Sequence, residues 1–183
     1  FDSMAYRAAK DLLMKRRPRL IDPYDGSLLR AGEDVLDGTV RIAFQMKATV
    51  LGIQGPPGSG KTYTGAMMIL KLAQQGKRIG VTATSHKVIL NLFKKVLELS
   101  EQHNIPVSLI HKSKDGEELP AGIEKAKNSK QALDAINRLS CRWVIGEVER
   151  SNPIGIGDDV DVATATVLPL PADQTRNLAV LPD

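Results

Sequence analysis

The residues with the clearest chemistry lie together in Gly55-Pro56-Pro57-Gly58-Ser59-Gly60-Lys61-Thr62. A glycine, four residues, then Gly-Lys-Thr is the spacing of a phosphate-binding loop. Glycines let the backbone curl until successive N–H groups point inward at a polyphosphate, an approach that a Cβ obstructs. A helix starting at the end of the loop adds free N–H groups and roughly half a positive charge. Lys61 is then placed to reach the outer phosphates of a nucleoside triphosphate. The Thr62 hydroxyl is placed to hold Mg²⁺, which prefers oxygen ligands and bridges the same phosphates. A Gly/Pro-rich surface turn is the alternative for such a stretch. It is disfavoured by the flanks, an apolar run before and a helical run after.

Those flanks are the elements that must position the loop. Ala48 to Gln54 is a short apolar run of the kind that forms a strand buried in a parallel sheet. Lys61 to Gln75 reads as a helix that is apolar nearly all round, with Met67 and Met68 as core filler and Gly76 as the residue just past its end. Arg78 to Thr84 returns as a strand, so the stretch reads as a βαβ unit with the loop at the carboxyl edge of the first strand. Next come a helix from about Lys87 to Gln102 with Ser85 as its N-cap, a strand at Val107 to Ile110, and a charged loop from Lys112 to Gly122. A polar amphipathic helix over Ile123 to Leu139 and a strand at Trp143 to Val148 follow. Upstream, Phe1 to Arg19 reads as a helix with a basic end (Lys15, Arg16, Arg17, Arg19), favourable to its dipole, and Asp34 to Met46 reads as a second helix. The fold class is α/β, a parallel sheet with flanking helices.

Composition narrows the setting. Apolar residues make up 42% and charged residues 25%, ordinary for a globular protein. A single cysteine, Cys141, excludes an internal disulfide framework and a multi-cysteine metal site, and points to a reducing, cytoplasmic location. No run approaches the roughly 18 apolar residues of a membrane span. The net charge of +4 divides unevenly: residues 1–150 carry 24 Lys/Arg against 16 Asp/Glu, whereas residues 151–183 carry only Arg176 against five Asp. A basic main body is compatible with a nucleic-acid partner. The chain opens on Phe1 rather than Met, and it reads as a fragment.

With the loop and the following strand in hand, the chain resembles a superfamily 1 helicase. Ile53 through Thr64 is similar to motif I of the branch that includes the nonsense-mediated-decay and Okazaki-fragment helicases, and Val81-Thr82-Ala83-Thr84-Ser85-His86-Lys87-Val88-Ile89 resembles motif Ia. The wording around these motifs looks closest to bacterial proteins in which the helicase follows a RecB-like nuclease domain. The resemblance implies a P-loop NTPase, a partial RecA-like ATP-binding domain over 31–146. Residues 1–30 would be a linker or helical remnant of an upstream region. It implies ATP and Mg²⁺ as cofactors, held by Gly55, Pro56, Pro57, Gly58, Ser59, Gly60, Lys61, Thr62 and Tyr63. Lys61 and Thr62 would carry the catalytic roles, with Thr62 on the metal. Single-stranded nucleic acid, DNA favoured over RNA, would be held by Thr84, Ser85, His86 and Lys87, with translocation from 5′ to 3′ and a RecB-like nuclease domain fused or associated.

Departures from the family pattern qualify this. Relatives carry a glutamine-containing adenine motif upstream of the loop, where this chain reads Glu33-Asp34-Val35-Leu36-Asp37. Leu90 stands where relatives often place Asp. Motif II, an apolar strand ending in Asp-Glu, is not matched by Trp143 to Glu149 or by Ile154 to Asp159, so the chain is expected to bind nucleotide with negligible turnover. Relatives continue past the last strand into Gly-Thr-Ala-Trp. Here 147–183 is an atypical acidic tail, read as truncated or out of frame. Two alternatives stay open: an AAA+ or other P-loop ATPase that does not act on nucleic acid, and a nucleotide-binding module without turnover.

Overall fold

The computed structural model describes residues 7–83, 85–113, 118–128, 131, 132, 134 and 143–148, with only the backbone described for 8, 9 and 143–148. Thr84 and residues 149–183, with the expectations placed on them, lie outside the described residues.

The chain runs α1 (Arg7–Leu13), α2 (Val35–Gln45), α3 (Lys61–Gln74), β1 (Ile79–Ala83), α4 (His86–His103), β2 (Ser108–Lys112), β3 (Ile123–Ala126) and β4 (Trp143–Val148). The four strands form one sheet in the order β1-β4-β2-β3, and every pairing is parallel. Parallel strands need long crossovers, which α4 supplies between β1 and β2. Helices packed on an all-parallel sheet place the described residues in the α/β class.

The core sits between the sheet and α3 and α4, which pack on each other and on β1 and β4, with α2 against the outer side of α3. Helix α3 is buried at Ala66, Met67, Met68, Ile69, Leu70, Leu72 and Ala73, too many positions for a single stripe, so the methionines are core filler as their neighbours suggest. Helix α4 is amphipathic. It turns Ile89, Leu92, Phe93, Val96 and Leu99 inward and leaves its charged residues outside. Burying each large side chain of this set contributes roughly 1.5–3 kcal/mol. On β1 the buried residues alternate as Ile79, Val81 and Ala83, whereas β2 buries Leu109, Ile110 and His111 in succession, the mark of a strand covered on both faces.

Local signals set the helix ends. Asp34 caps α2 by accepting from the Leu36 and Asp37 N–H groups. Helix α3 ends at Gln75 with Gly76 in the left-handed region at φ 73°, its N–H on the Ala73 carbonyl. Ser85 caps α4 through the Val88 N–H, and Asn104 closes it in the left-handed region.

Three elements differ from the sequence reading. Ala48 to Gln54 is not a strand among the described residues: no ladder forms on it, Gly52, Ile53 and Gln54 are exposed, and Ala48 takes φ 46°. Apolar character alone does not make a strand without a lateral partner, and the nearest pairing is the single antiparallel bridge between Leu20 and Met46. Ile123 to Leu139 is not one helix. Its first four residues are β3, drawn into extended form by the β2 edge, which buries Ile123 and Ala126 and leaves Glu124 and Lys125 exposed. Tertiary pairing overrides local helix preference here. Asn128 then accepts from the Gln131 N–H, and Gln131, Ala132 and Asp134 are helical. The first helix stops at Leu13 and the chain turns left-handed at Lys15, so the basic cluster lies beyond the helix end. Two of its residues have specific partners instead: Arg17 donates to the Gly26 carbonyl, and Arg19 pairs with Asp11. Strand β4 covers Trp143–Val148 as the sequence reading expects, with Glu147 and Val148 opposite Thr82 and Ala83.

Candidate functional site

The loop closes on its own lysine. The Pro56 carbonyl accepts from the Ser59 N–H, and Gly58 and Gly60 lie at φ 80° and 83°, backbone that glycine adopts without cost. The chain thereby bends round the Lys61 ammonium, which donates to the Gly55 carbonyl at 2.8 Å, to the Pro56 carbonyl at 2.9 Å and to Ser59 Oγ at 3.5 Å. Gly55 is favoured for a different reason: an added Cβ would lie 2.5 Å from Ser59 Oγ and would push that hydroxyl aside.

Helix α3 begins at Gly60, which offers no capping side chain, and its ladder opens with the Thr64 N–H on the Gly60 carbonyl. The N–H groups of Lys61, Thr62 and Tyr63 are those the helix itself leaves without an i−4 partner. They and the ammonium make the mouth of the loop electropositive, suited to an anion. Thr62 and Tyr63 stand exposed on that first turn. Among the described residues no cluster of three His, Cys, Asp or Glu could hold a metal ion. A Mg²⁺ here would rest on the Thr62 hydroxyl, the phosphates of a bound nucleotide and water, a set that suits it.

Helix α3 is joined to β1 by a four-residue link, 75–78, and packs on it. Helix α4 begins just past the carboxyl end of β1. The Ser85-His86-Lys87 segment thus stands beyond the carboxyl end of a strand of a parallel sheet, the edge at which open α/β sheets take ligands. Within that segment the roles divide. Ser85 Oγ is committed to the Val88 N–H at 3.3 Å, and Lys87 is exposed. His86 turns inward, with its Nδ1 2.9 Å from Nε2 of the fully buried His111, the rings edge to face. Phe93 meets His111 edge-on from α4.

The stretch around Glu33 has structural work. Arg41 grips Glu33 with two hydrogen bonds of 2.6 and 2.7 Å and also donates to the Leu28 carbonyl, while the Arg30 N–H donates to Glu33. The Arg41 side chain, then the Arg30 N–H, hold the Glu33 carboxyl at about 2, well below its ordinary 4.5. The same pairing raises the Arg41 guanidinium above its ordinary value.

Two groups escaped the sequence reading: the buried Asp11, joined to Arg19 at 2.6 Å and to Thr49 at 3.2 Å, and His111. A lone histidine within the apolar strand Ser108-Leu109-Ile110-His111 was the available signal for the second. Among the described residues no helix is long and apolar enough to cross a membrane. A scan against protein-family models finds no match, and neither the curated proteins nor the solved structures yield a similar one.

Proposed function

We propose that this chain is the ATP-binding part of a nucleic-acid-dependent P-loop ATPase, a helicase of superfamily 1 with a partial RecA-like fold. One observation carries the reading: the Lys61 ammonium is ringed by Gly55, Pro56 and Ser59 at the uncapped start of α3. In this role the loop N–H groups and Lys61 would bind the triphosphate and offset the charge on its outer oxygens, a preorganised electrostatic task. Thr62 would hold the Mg²⁺ that travels with the nucleotide through its hydroxyl. Lys87 and Ser85 hold phosphates of a single strand, which positions the strand without reading its bases. With motif II unmatched, binding without appreciable turnover is the activity assigned to the chain as it stands.

A second reading, a P-loop ATPase indifferent to nucleic acid, draws on one observation: His86 is engaged with His111 inside the fold instead of facing a strand. One titration separates the two. A fluorescent ATP analogue with MgCl₂ should bind the wild type saturably and Lys61→Ala at least about tenfold more weakly, a loss of about 1.4 kcal/mol. Equal affinities would remove the site assignment. Adding a single-stranded oligonucleotide should then change the affinity for the analogue. Indifference to both DNA and RNA would favour the second reading.

A further inference from the structure

Six residues before the loop, the chain is held by a part of the protein far from it in sequence. Asp11, on α1, is fully buried and receives Arg19 at 2.6 Å and the Thr49 hydroxyl at 3.2 Å on the same oxygen, Oδ2. Arg19 also donates to the Ala48 carbonyl, and its own carbonyl accepts from the Lys47 N–H at 2.9 Å. Ala48 sits at φ 46°, a conformation an alanine adopts only under constraint, and it is the residue where the chain leaves the Leu20–Met46 bridge and heads for the loop. Nothing in a sheet ladder braces 48–54 among the described residues. The segment is suspended between two polar clamps, Asp11 and Arg19 at Ala48–Thr49 and Lys61 at Gly55–Pro56.

The upstream clamp is poorly suited to adding stability. Among the described residues Asp11 Oδ1 and Arg19 Nε are buried with no partner. A buried ion pair with unmet hydrogen bonds contributes little net stability, and its best-attested use is to fix one arrangement over others. Here the arrangement fixed is the path into the phosphate loop.

We propose that Asp11 is a positioning residue for nucleotide binding: through Arg19 and Thr49 it holds Ala48–Thr49 so that Gly55 and Pro56 meet Lys61 in the binding geometry. This rests on the nucleotide-binding reading above. It also makes α1 a lever on the site, since displacing α1 releases the clamp.

The test uses the full chain, Asp11→Asn, which keeps the shape and removes the charge, and Thr49→Val, which removes only the hydroxyl link and leaves the ion pair. Binding of the fluorescent ATP analogue is titrated at a temperature where circular dichroism shows each variant folded, and amide hydrogen exchange is read in parallel. Asp11→Asn should bind about tenfold more weakly and Thr49→Val about threefold, the range expected of residues that couple to a ligand without touching it. Exchange should quicken at 48–55 and stay unchanged in α4 and β2. Unchanged affinity in both variants alongside a wild type that binds would overturn the proposal, as would faster exchange spread evenly over the chain, which marks a merely structural role. A wild type that does not bind the analogue overturns the nucleotide reading and this one with it.

Discussion

Replacing Gly55 with alanine tests whether the loop geometry is required for binding. The new Cβ would lie 2.5 Å from Ser59 Oγ and 3.2 Å from Ser59 Cβ, with Lys61 Cγ at 4.0 Å. Gly55 is not among the glycines at positive φ, so the backbone itself accepts the change and the cost is steric. Rotating Ser59 about χ1 clears the hydroxyl but not its Cβ, which must yield by a few tenths of an ångström, and an off-rotamer side chain costs of order 0.5–1.5 kcal/mol. Rotation also breaks the 3.5 Å contact from Lys61 to Ser59 Oγ. Together these come to about 1–2 kcal/mol against the closed loop. The loop is exposed and outside the hydrophobic core, so the free protein relaxes locally and its melting temperature hardly moves. The binding-competent loop is then less populated by the same factor, and apparent affinity falls about 5- to 30-fold. Titration of a fluorescent ATP analogue into wild type, Gly55→Ala, Ser59→Ala and the double variant reads this directly. Ser59→Ala alone should stay within about twofold, and in the double variant it should restore most of the loss, because the hydroxyl is the closest obstacle. A Gly55→Ala protein that binds like wild type, or a loss that Ser59→Ala does not relieve, refutes the reasoning.

The same structure makes further predictions. Glu33, held near 2 by Arg41 and the Arg30 N–H, has a folded value below the ordinary 4.5, so its stabilising contribution is present above 4.5 and lost as pH falls toward 2. Denaturant midpoints of wild type and Glu33→Gln should therefore differ at pH 7 and converge by pH 2, and a gap that persists at pH 2 sinks the assignment. Ser85→Ala should cost about 1 kcal/mol in denaturant unfolding through loss of the α4 cap, in addition to weaker oligonucleotide binding. Phe93→Ala, in the fully buried centre of α4, should cost about 3–5 kcal/mol, and thermal unfolding measures it.

What could be read from the sequence follows how far each signal reaches. The bounds of α3 and α4 come from short-range chemistry: Gly76 needs positive φ, Ser85 reaches the N–H three residues on, and apolar spacing marks the buried face. The turn at Gly55–Thr62 is likewise a local pattern, since its glycines and Lys61 act within a few residues of one another. Strand β3 was illegible because Glu124-Lys125-Ala126-Lys127 has helical composition and becomes extended only by pairing with β2. The apolar run 48–54 misled in the opposite sense, having strand composition and no lateral partner. Asp11 meets Thr49 across 38 residues, and His86 meets His111 across 25. Contacts of that reach leave no periodic trace in a single chain.

The strand order carries a consequence for how the protein is made. Strand β4 is the last of the described strands in sequence yet lies between β1 and β2, pairing Ile79 with Val144 on one side and Leu109 with Val144 on the other. During synthesis β1 and β2 therefore emerge as two separated strips, each with a bare inner edge, while α3 and α4 can already gather a core around them. Parallel pairings between distant segments close slowly, and exposed strand edges attract other chains in the interval. The six residues Trp143–Val148 act as a keystone: a nascent chain released before them has the Gly55–Thr62 loop and both helices but no continuous sheet to hold them in place.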